Sequence, residues 1–163
     1  MQERFGAEIT WAPFDLHPEY PPEGVPRPRS AGQMEATFAE YGLVYNPPPI
    51  RANSMAALRL AEHARASGLF DWMHARLFDA YWAEAQNIGD TDVLRQLAAE
   101  VVLDGADEIL ASDAYRDVVH ASTAQAHAAA VNGIPAFVLD QRLLVLGAHP
   151  RAVFERAFAQ LQT

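Results

Sequence analysis

The hydrophobic rhythm of the chain changes most sharply in its last third. Between Ser112 and Val131 the residues Tyr115, Val118, Val119 and Ser122 recur at helical spacing, which predicts a long helix capped by Ser112-Asp113. The rhythm breaks at Asn132-Gly133-Ile134-Pro135. Two short β-rich runs follow, Ala136 to Leu139 and Leu143 to Leu146, joined through Asp140-Gln141-Arg142; they predict a hairpin. Gly147 ends it. Pro150 then opens a last helix that places Val153, Phe154, Phe158 and Leu161 at helical positions. Proline lacks a backbone donor and fits a central strand poorly. Pro135 therefore belongs at the head of its strand, in a specialised turn or a cis peptide, after a glycine that permits unusual φ.

Upstream, Ala7 to Phe14 alternates, with Ile9 and Trp11 on one side, and predicts a strand ending at Pro13. From Leu16 to Arg29 the prolines are dense, which predicts an extended loop without regular hydrogen bonding. A short helix is expected over Ala31 to Tyr41, and Pro47-Pro48-Pro49 reads as a rigid connector. Asn53-Ser54 caps a helix from Met55 to about Ser67, stopped by Gly68. Leu69 to Gln86 forms a second, whose Phe70, Met73, Leu77, Phe78, Tyr81 and Trp82 fall at helical spacing; its aromatics, Trp72 included, read as core packing, with a hydrophobic wall over the Pro135 turn as the functional alternative. Asp90-Thr91 caps a third from Asp92 to Val102, and Asp107 to Ala111 is a short fourth. Three short strands need helices to cover them, so the expected fold class is α/β with a large helical insertion. Residues 1–163 read as a single domain: 1–50 and 125–163 carry the sheet, and 51–124 form the insertion.

Composition narrows the chemistry. A chain of 163 residues, half of them hydrophobic, can bury a core. The net charge of −9 argues against nucleic acid and against anionic membrane surfaces as partners. No apolar run approaches the roughly 20 residues of a spanning helix, and Met1 to Gly6 lacks the layout of a signal peptide. A cytoplasmic location is the expectation, and the lack of cysteine agrees with it. That lack removes all thiol chemistry. His120 and His127 lie seven apart on one predicted helix, not the three or four that suits a metal pair, and His63 and His74 fall on different helices. No metal and no cofactor are expected. The serines read as caps or helix-surface residues, with none on a strand-to-helix elbow, and the acidic residues sit mostly at helix starts.

Several strings, in order, carry a resemblance. They are Trp11 to Pro18 with Pro21-Pro22-Glu23-Gly24, Asn53-Ser54 with Ala57 to Ala61, Phe78 with Tyr81, and Asn87 to Asp90. Gly133 to Val138 and Gly147-Ala148-His149-Pro150 close the set. Together they resemble the DsbA-like thioredoxin family, in the branch of the FrnE proteins, which also holds 2-hydroxychromene-2-carboxylate isomerases and kappa-class glutathione transferases. Helix, Gly-Ile-Pro, hairpin and helix is the closing half of a thioredoxin fold. The resemblance implies protein-disulfide oxidoreductase activity, with the backbone beside Pro135 pairing with an extended substrate. Gly147-Ala148-x-Pro150 is more similar to the FrnE branch than to the glutathione-using ones. In the latter, the position of Asn53 contributes to the ligand site; here its role as an N-cap accounts for it equally.

Members of that family begin with a strand and a Cys-x-x-Cys or serine loop, and this chain reads as starting inside the helix after it. The expected first strand and nucleophile fall outside the sequence, as in an N-terminally truncated member. Three expectations follow. The polypeptide is redox-inactive and has no catalytic residue. Gly133, Ile134 and Pro135, with Asn53, form the substrate-binding set for an extended or apolar peptide or protein. The sheet compensates either by rearrangement or by pairing with a second copy in a homodimer, or else the natural protein begins upstream of Met1. A redox-dead peptide-binding module is the alternative to a truncated oxidoreductase, and a glutathione-dependent isomerase or transferase relative is the third reading.

Overall fold

A computed structural model describes residues 5–28 and 32–162. The larger core is helical. Helices α2 (Met55–Ala66), α3 (Phe70–Trp82) and α4 (Thr91–Glu100) bring their small and aliphatic stripes together. Leu60, Ala64, Met73, Ala80, Leu94 and Leu97 are completely buried there, and Leu103 closes the end. The caps are local. The Asp90 carboxylate accepts from the Asp92 amide at 2.8 Å. At α2 the acceptor is Asn53 Oδ1, bonded to the Met55 amide at 3.0 Å, while Ser54 gives no side-chain cap. Helix α5 (Ala106–Ala111) and helix α6 (Arg116–Ala128) pack on α2. The expected start of α6 at Ser112-Asp113 is instead a turn, in which Arg116 pairs with Asp113 at 2.7 Å.

Arg59 explains how α5 and α6 are joined. It is only 4% exposed, yet among the described residues its hydrogen bonds go to carbonyls and not to a carboxylate. Its guanidinium donates to the carbonyls of Ile109, Ser112 and Ala114, the last at 2.8 Å. A cation at the C-terminal end of α5 meets the negative pole of that helix and supplies donors to its orphan carbonyls.

The strands form two separate antiparallel pairs among the described residues. β1 (Val25–Pro26) pairs with β2 (Ile50–Arg51), which corrects the expectation of an unbonded loop from Leu16 to Arg29. The pairing survives the prolines because Arg27 ties it down. Its amide donates to Pro49 O at 2.8 Å, its Nε donates to Pro48 O at 2.9 Å, and its guanidinium lies over Tyr81 and Trp82. Gly24, at φ +78, lets the strands approach; a Cβ there would stand 2.5 Å from Arg51 O. Helix α1 (Gln33–Glu40) follows, inside the span expected for it, of which Ala31 lies outside the described residues.

The second pair is the predicted hairpin. β3 (Ala136–Leu139) and β4 (Leu143–Leu146) run in register from Ala136↔Leu146 to Leu139↔Leu143. Asp140 and Gln141 make the turn with φ of 50 and 54. One face packs on α7 (Arg151–Leu161): Phe137 meets Phe154 edge-on at 4.9 Å, beside Val145 and Ala157.

The strand expected over Ala7–Phe14 does not form. Alternation gives a segment one apolar side, but a strand also needs a neighbour to receive its backbone bonds, and neither described sheet pairs with it. Side chains hold it instead: Arg65 donates to Trp11 O at 2.9 Å, Ser122 to Pro13 O at 2.7 Å, and Thr123 Oγ1 accepts from the Asp15 amide at 3.0 Å. Of the helical turn expected over Met1–Gly6, Met1 to Arg4 lie outside the described residues; Phe5 stacks on Phe158 at 4.4 Å. No helix among the described residues is long and apolar enough to cross a membrane.

Candidate functional site

The turn at Ile134-Pro135 is positioned by the end of α6. After Ala128 the chain closes with paired reverse bonds, Val131 N–H to Ala126 O at 2.9 Å and Ala130 N–H to His127 O at 3.0 Å. Ala130 holds the left-handed position, φ +62, that glycine usually takes in this motif. The motif buries Val131 and aims the chain outward. His127 braces the same corner: its Nδ1 lies 3.1 Å from Val131 O and 3.3 Å from Asn132 Oδ1. The carbonyl can only accept, so Nδ1 carries the hydrogen. Phe14 meets this ring edge-on at 5.3 Å, which brings the 7–14 segment to the corner.

Beyond it, the Ile134-Pro135 peptide bond is cis. Ile134 is 56% exposed and Pro135 is exposed too. The turn is anchored from the other side by Gly147, whose amide donates to Pro135 O at 2.7 Å. His149 Nε2 sits 2.8 Å from Leu146 O and closes that end of the hairpin. Gly133 departs from the reason given for it in the sequence. Its φ is outside the left-handed region, and a Cβ on it would meet open space. The glycine is not demanded by its own backbone; it leaves the space beside Ile134 empty.

Asn53 is not brought to this turn. Its Nδ2 donates to Tyr20 O at 2.7 Å while its Oδ1 caps α2, so both ends of the amide are used. No hydrogen bond or ring contact among the described residues joins it to residues 133–135. It ties the 17–20 loop to the helical core.

Helix α3 also carries an exposed apolar surface. Phe70, His74 and Phe78 stack along α3, with Trp11 on His74 at 4.5 Å. The stripe expected to be core is therefore split. Met73, Leu77 and Ala80 are buried, whereas Phe78 and Trp72 are 52% and 72% exposed. The signal lay in the spacing: two faces of one helix were apolar, and only one could meet α2 and α4. Burial among these rings holds the His74 pKa below 6.5. Asp15 is also buried, which raises its pKa, with His120 pulling the other way.

The remaining chemistry is sparse. The chain has no cysteine. Among the described residues no histidine ring is bonded to a serine hydroxyl, and no group of three His, Asp or Glu side chains could hold a metal ion. Ser122 Oγ donates to Pro13 O and Ser67 Oγ to His63 O, as structural bonds; Ser30 lies outside the described residues. A concavity of about 440 Å³ between α4 and α5 is lined by Arg95, Val102 and Asp104 to Glu108, well away in sequence from the turn.

Comparison with known proteins converges. The model of the DsbA-like thioredoxin domain matches residues 1–159. An uncharacterised protein of Bacillus subtilis (strain 168), YwbO, is 29% identical over 166 residues, covering 95% of this chain and 82% of its own. A crystal structure described as a probable DsbA oxidoreductase, SCO1869 from Streptomyces coelicolor, aligns with a TM-score of 0.83 at 27% identity, over 97% of this chain and 76% of that one. Two more distant structures share the fold. A 2-hydroxychromene-2-carboxylate isomerase aligns with a TM-score of 0.68 at 19% identity, over 78% of this chain and 63% of that one. The cytosolic disulfide reductase DsbM from Pseudomonas aeruginosa, solved with GSH, aligns with a TM-score of 0.60 at 23% identity, over 83% and 78%.

Proposed function

From the premise that this chain belongs to the DsbA-like thioredoxin domain family, we propose that the 163-residue polypeptide is a redox-inactive member that docks extended, apolar peptide at the Ile134-Pro135 turn. The observation that carries this reading is an exposed apolar turn held rigidly from both sides. Ile134 is 56% exposed, yet its neighbours are fixed by the buried Val131 and by the Gly147 to Pro135 bond. A surface isoleucine on a pre-organised turn loses little entropy on binding. Gly133, with open space where a side chain would stand, leaves room for a second backbone to approach.

No sulfur is available to exchange a disulfide, and the thiolate is the group that performs that chemistry. Placement in the FrnE branch, a cytoplasmic site of action and a division into a sheet-bearing part (1–50, 125–163) and a helical insertion (51–124) belong to the same proposal. The glutathione-dependent reading has less behind it, because the amide of Asn53 is already occupied at both ends. The test has two arms. Insulin reduction by this polypeptide stays at background. Titration with an extended apolar peptide saturates, and Pro135→Ala weakens it at least about tenfold, equal to about 1.4 kcal/mol. Disulfide turnover refutes the redox half; absence of peptide binding refutes the docking half.

A further inference from the structure

The asparagines of the chain are Asn46, Asn53, Asn87 and Asn132, and the last is set to react with its own backbone. The amide nitrogen of the following residue can attack an asparagine side chain when that nitrogen is uncrowded and the side chain can turn toward it. This is what makes asparagine thermolabile. Asn46 precedes Pro47, whose nitrogen carries no hydrogen to lose. Asn53 is locked, its Nδ2 donating to Tyr20 O at 2.7 Å and its Oδ1 accepting from the Met55 amide at 3.0 Å. Asn87 Oδ1 accepts from the Gly89 amide at 3.0 Å, and the β-branched Ile88 crowds the nitrogen that would attack.

Asn132 differs at each point. Its neighbour is Gly133, and a Cβ on that glycine would meet open space. The Gly133 N–H donates no hydrogen bond among the described residues. Asn132 Nδ2 comes no closer than 3.5 Å to Ala130 O, longer than an ordinary N–H···O bond, so the leaving nitrogen is barely held. Oδ1 lies 3.3 Å from His127 Nδ1, which carries a hydrogen shared with Val131 O at 3.1 Å. That hydrogen faces the oxygen on which negative charge would develop. All these groups lie within residues 127–133, so the end of α6 alone positions them.

We propose that Asn132-Gly133 is a self-modifying site, converting to an aspartyl or isoaspartyl linkage beside the Ile134-Pro135 turn. A solvent base takes the Gly133 amide proton as the nitrogen attacks Asn132 Cγ. The carbonyl electron pair moves to Oδ1, where the His127 N–H meets it. Collapse breaks the Cγ–Nδ2 bond, and Nδ2 takes a proton from water and leaves as ammonia. Water then opens the cyclic imide. Cleavage between Gly133 N and Cγ gives the aspartyl form. Cleavage between Gly133 N and the Asn132 backbone carbonyl carbon gives the isoaspartyl form, with an added CH2 in the main chain. Either product puts a carboxylate next to the turn, where an apolar peptide would have to desolvate it. That loss of docking rests on the peptide reading; the modification does not.

Ageing the full chain at mildly alkaline pH, with peptide mapping by mass spectrometry, tests it. The peptide carrying residue 132 gains the mass of NH replaced by O, while those carrying Asn53 and Asn87 stay unchanged. The folded chain converts at least as fast as the same chain in urea. Gly133→Val, which fills the open space, slows conversion at least about tenfold. His127→Phe keeps a ring against Phe14 without the N–H and slows it about threefold or more. No conversion at 132, or slower conversion folded than unfolded, overturns the proposal; an unchanged rate in His127→Phe removes the histidine from it. Fresh chain binds extended apolar peptide at least about tenfold more tightly than converted chain. Equal binding removes that consequence alone. Fresh chain that binds no peptide refutes the docking reading, while the mapping still decides the modification.

Discussion

Arg59 shows how much of this molecule rests on single polar residues. It lies in the middle of α2, where the sequence reads as a small-residue stripe, and it is as buried as its apolar neighbours. Burial depresses its pKa, with Arg116 adding to the effect, but it stays charged across the working range and its charge is met by carbonyl dipoles. Arg59→Met keeps the stem and removes the donors, leaving Ile109, Ser112 and Ala114 carbonyls competing for whatever water can enter. The expected cost is about 3 kcal/mol, read as a lower urea midpoint with unchanged slope; a change under about 0.5 kcal/mol contradicts the role. Nothing in the local sequence marks Arg59, because its partners lie 50 to 55 positions away. Asn53 is the converse. Its cap was legible from Asn-Ser before an apolar run, but the bond to Tyr20 O was not.

At the level of elements, the hairpin and most helices could be read from the chain because their determinants are local. Alternation, a turn that accepts two left-handed residues and a closing glycine lie within a dozen positions. The Val25–Pro26 to Ile50–Arg51 pairing was hidden, since proline density argues against strands and the partners, Val25 with Arg51 and Pro26 with Ile50, are far apart in the chain. Ile9 and Trp11 misled in the other direction: a period of two describes one side of a segment and says nothing of a neighbour.

Helix α3 shows a third limit, two apolar faces with one core to fill. Its outer face gives a pH prediction. Burial against Trp11, Phe70 and Phe78 keeps the folded His74 pKa below 6.5, with Asp71 opposing and Arg65 reinforcing. The unfolded chain then takes up the proton first as pH falls. Stability linked to His74 is complete above about pH 6.5, declines as pH drops below it, and levels off below the folded pKa. His74→Phe should flatten the difference between melting curves at pH 7 and pH 5; an unchanged difference contradicts it.

The whole molecule couples a well-packed helical core to a small hairpin-and-helix unit whose Ile134-Pro135 turn is exposed. The family shows in the order of elements and in the solved relatives, and these 163 residues contain no cysteine. The function proposed above for it is recognition of peptide. An amide-resolved NMR titration with an extended apolar peptide tests this most directly. The account predicts saturable shifts centred on Asn132 to Val138 and Gly147, abolished by Ile134→Asp without loss of fold. Shifts confined to the Trp11, His74 and Phe78 surface, or none at all, would contradict it.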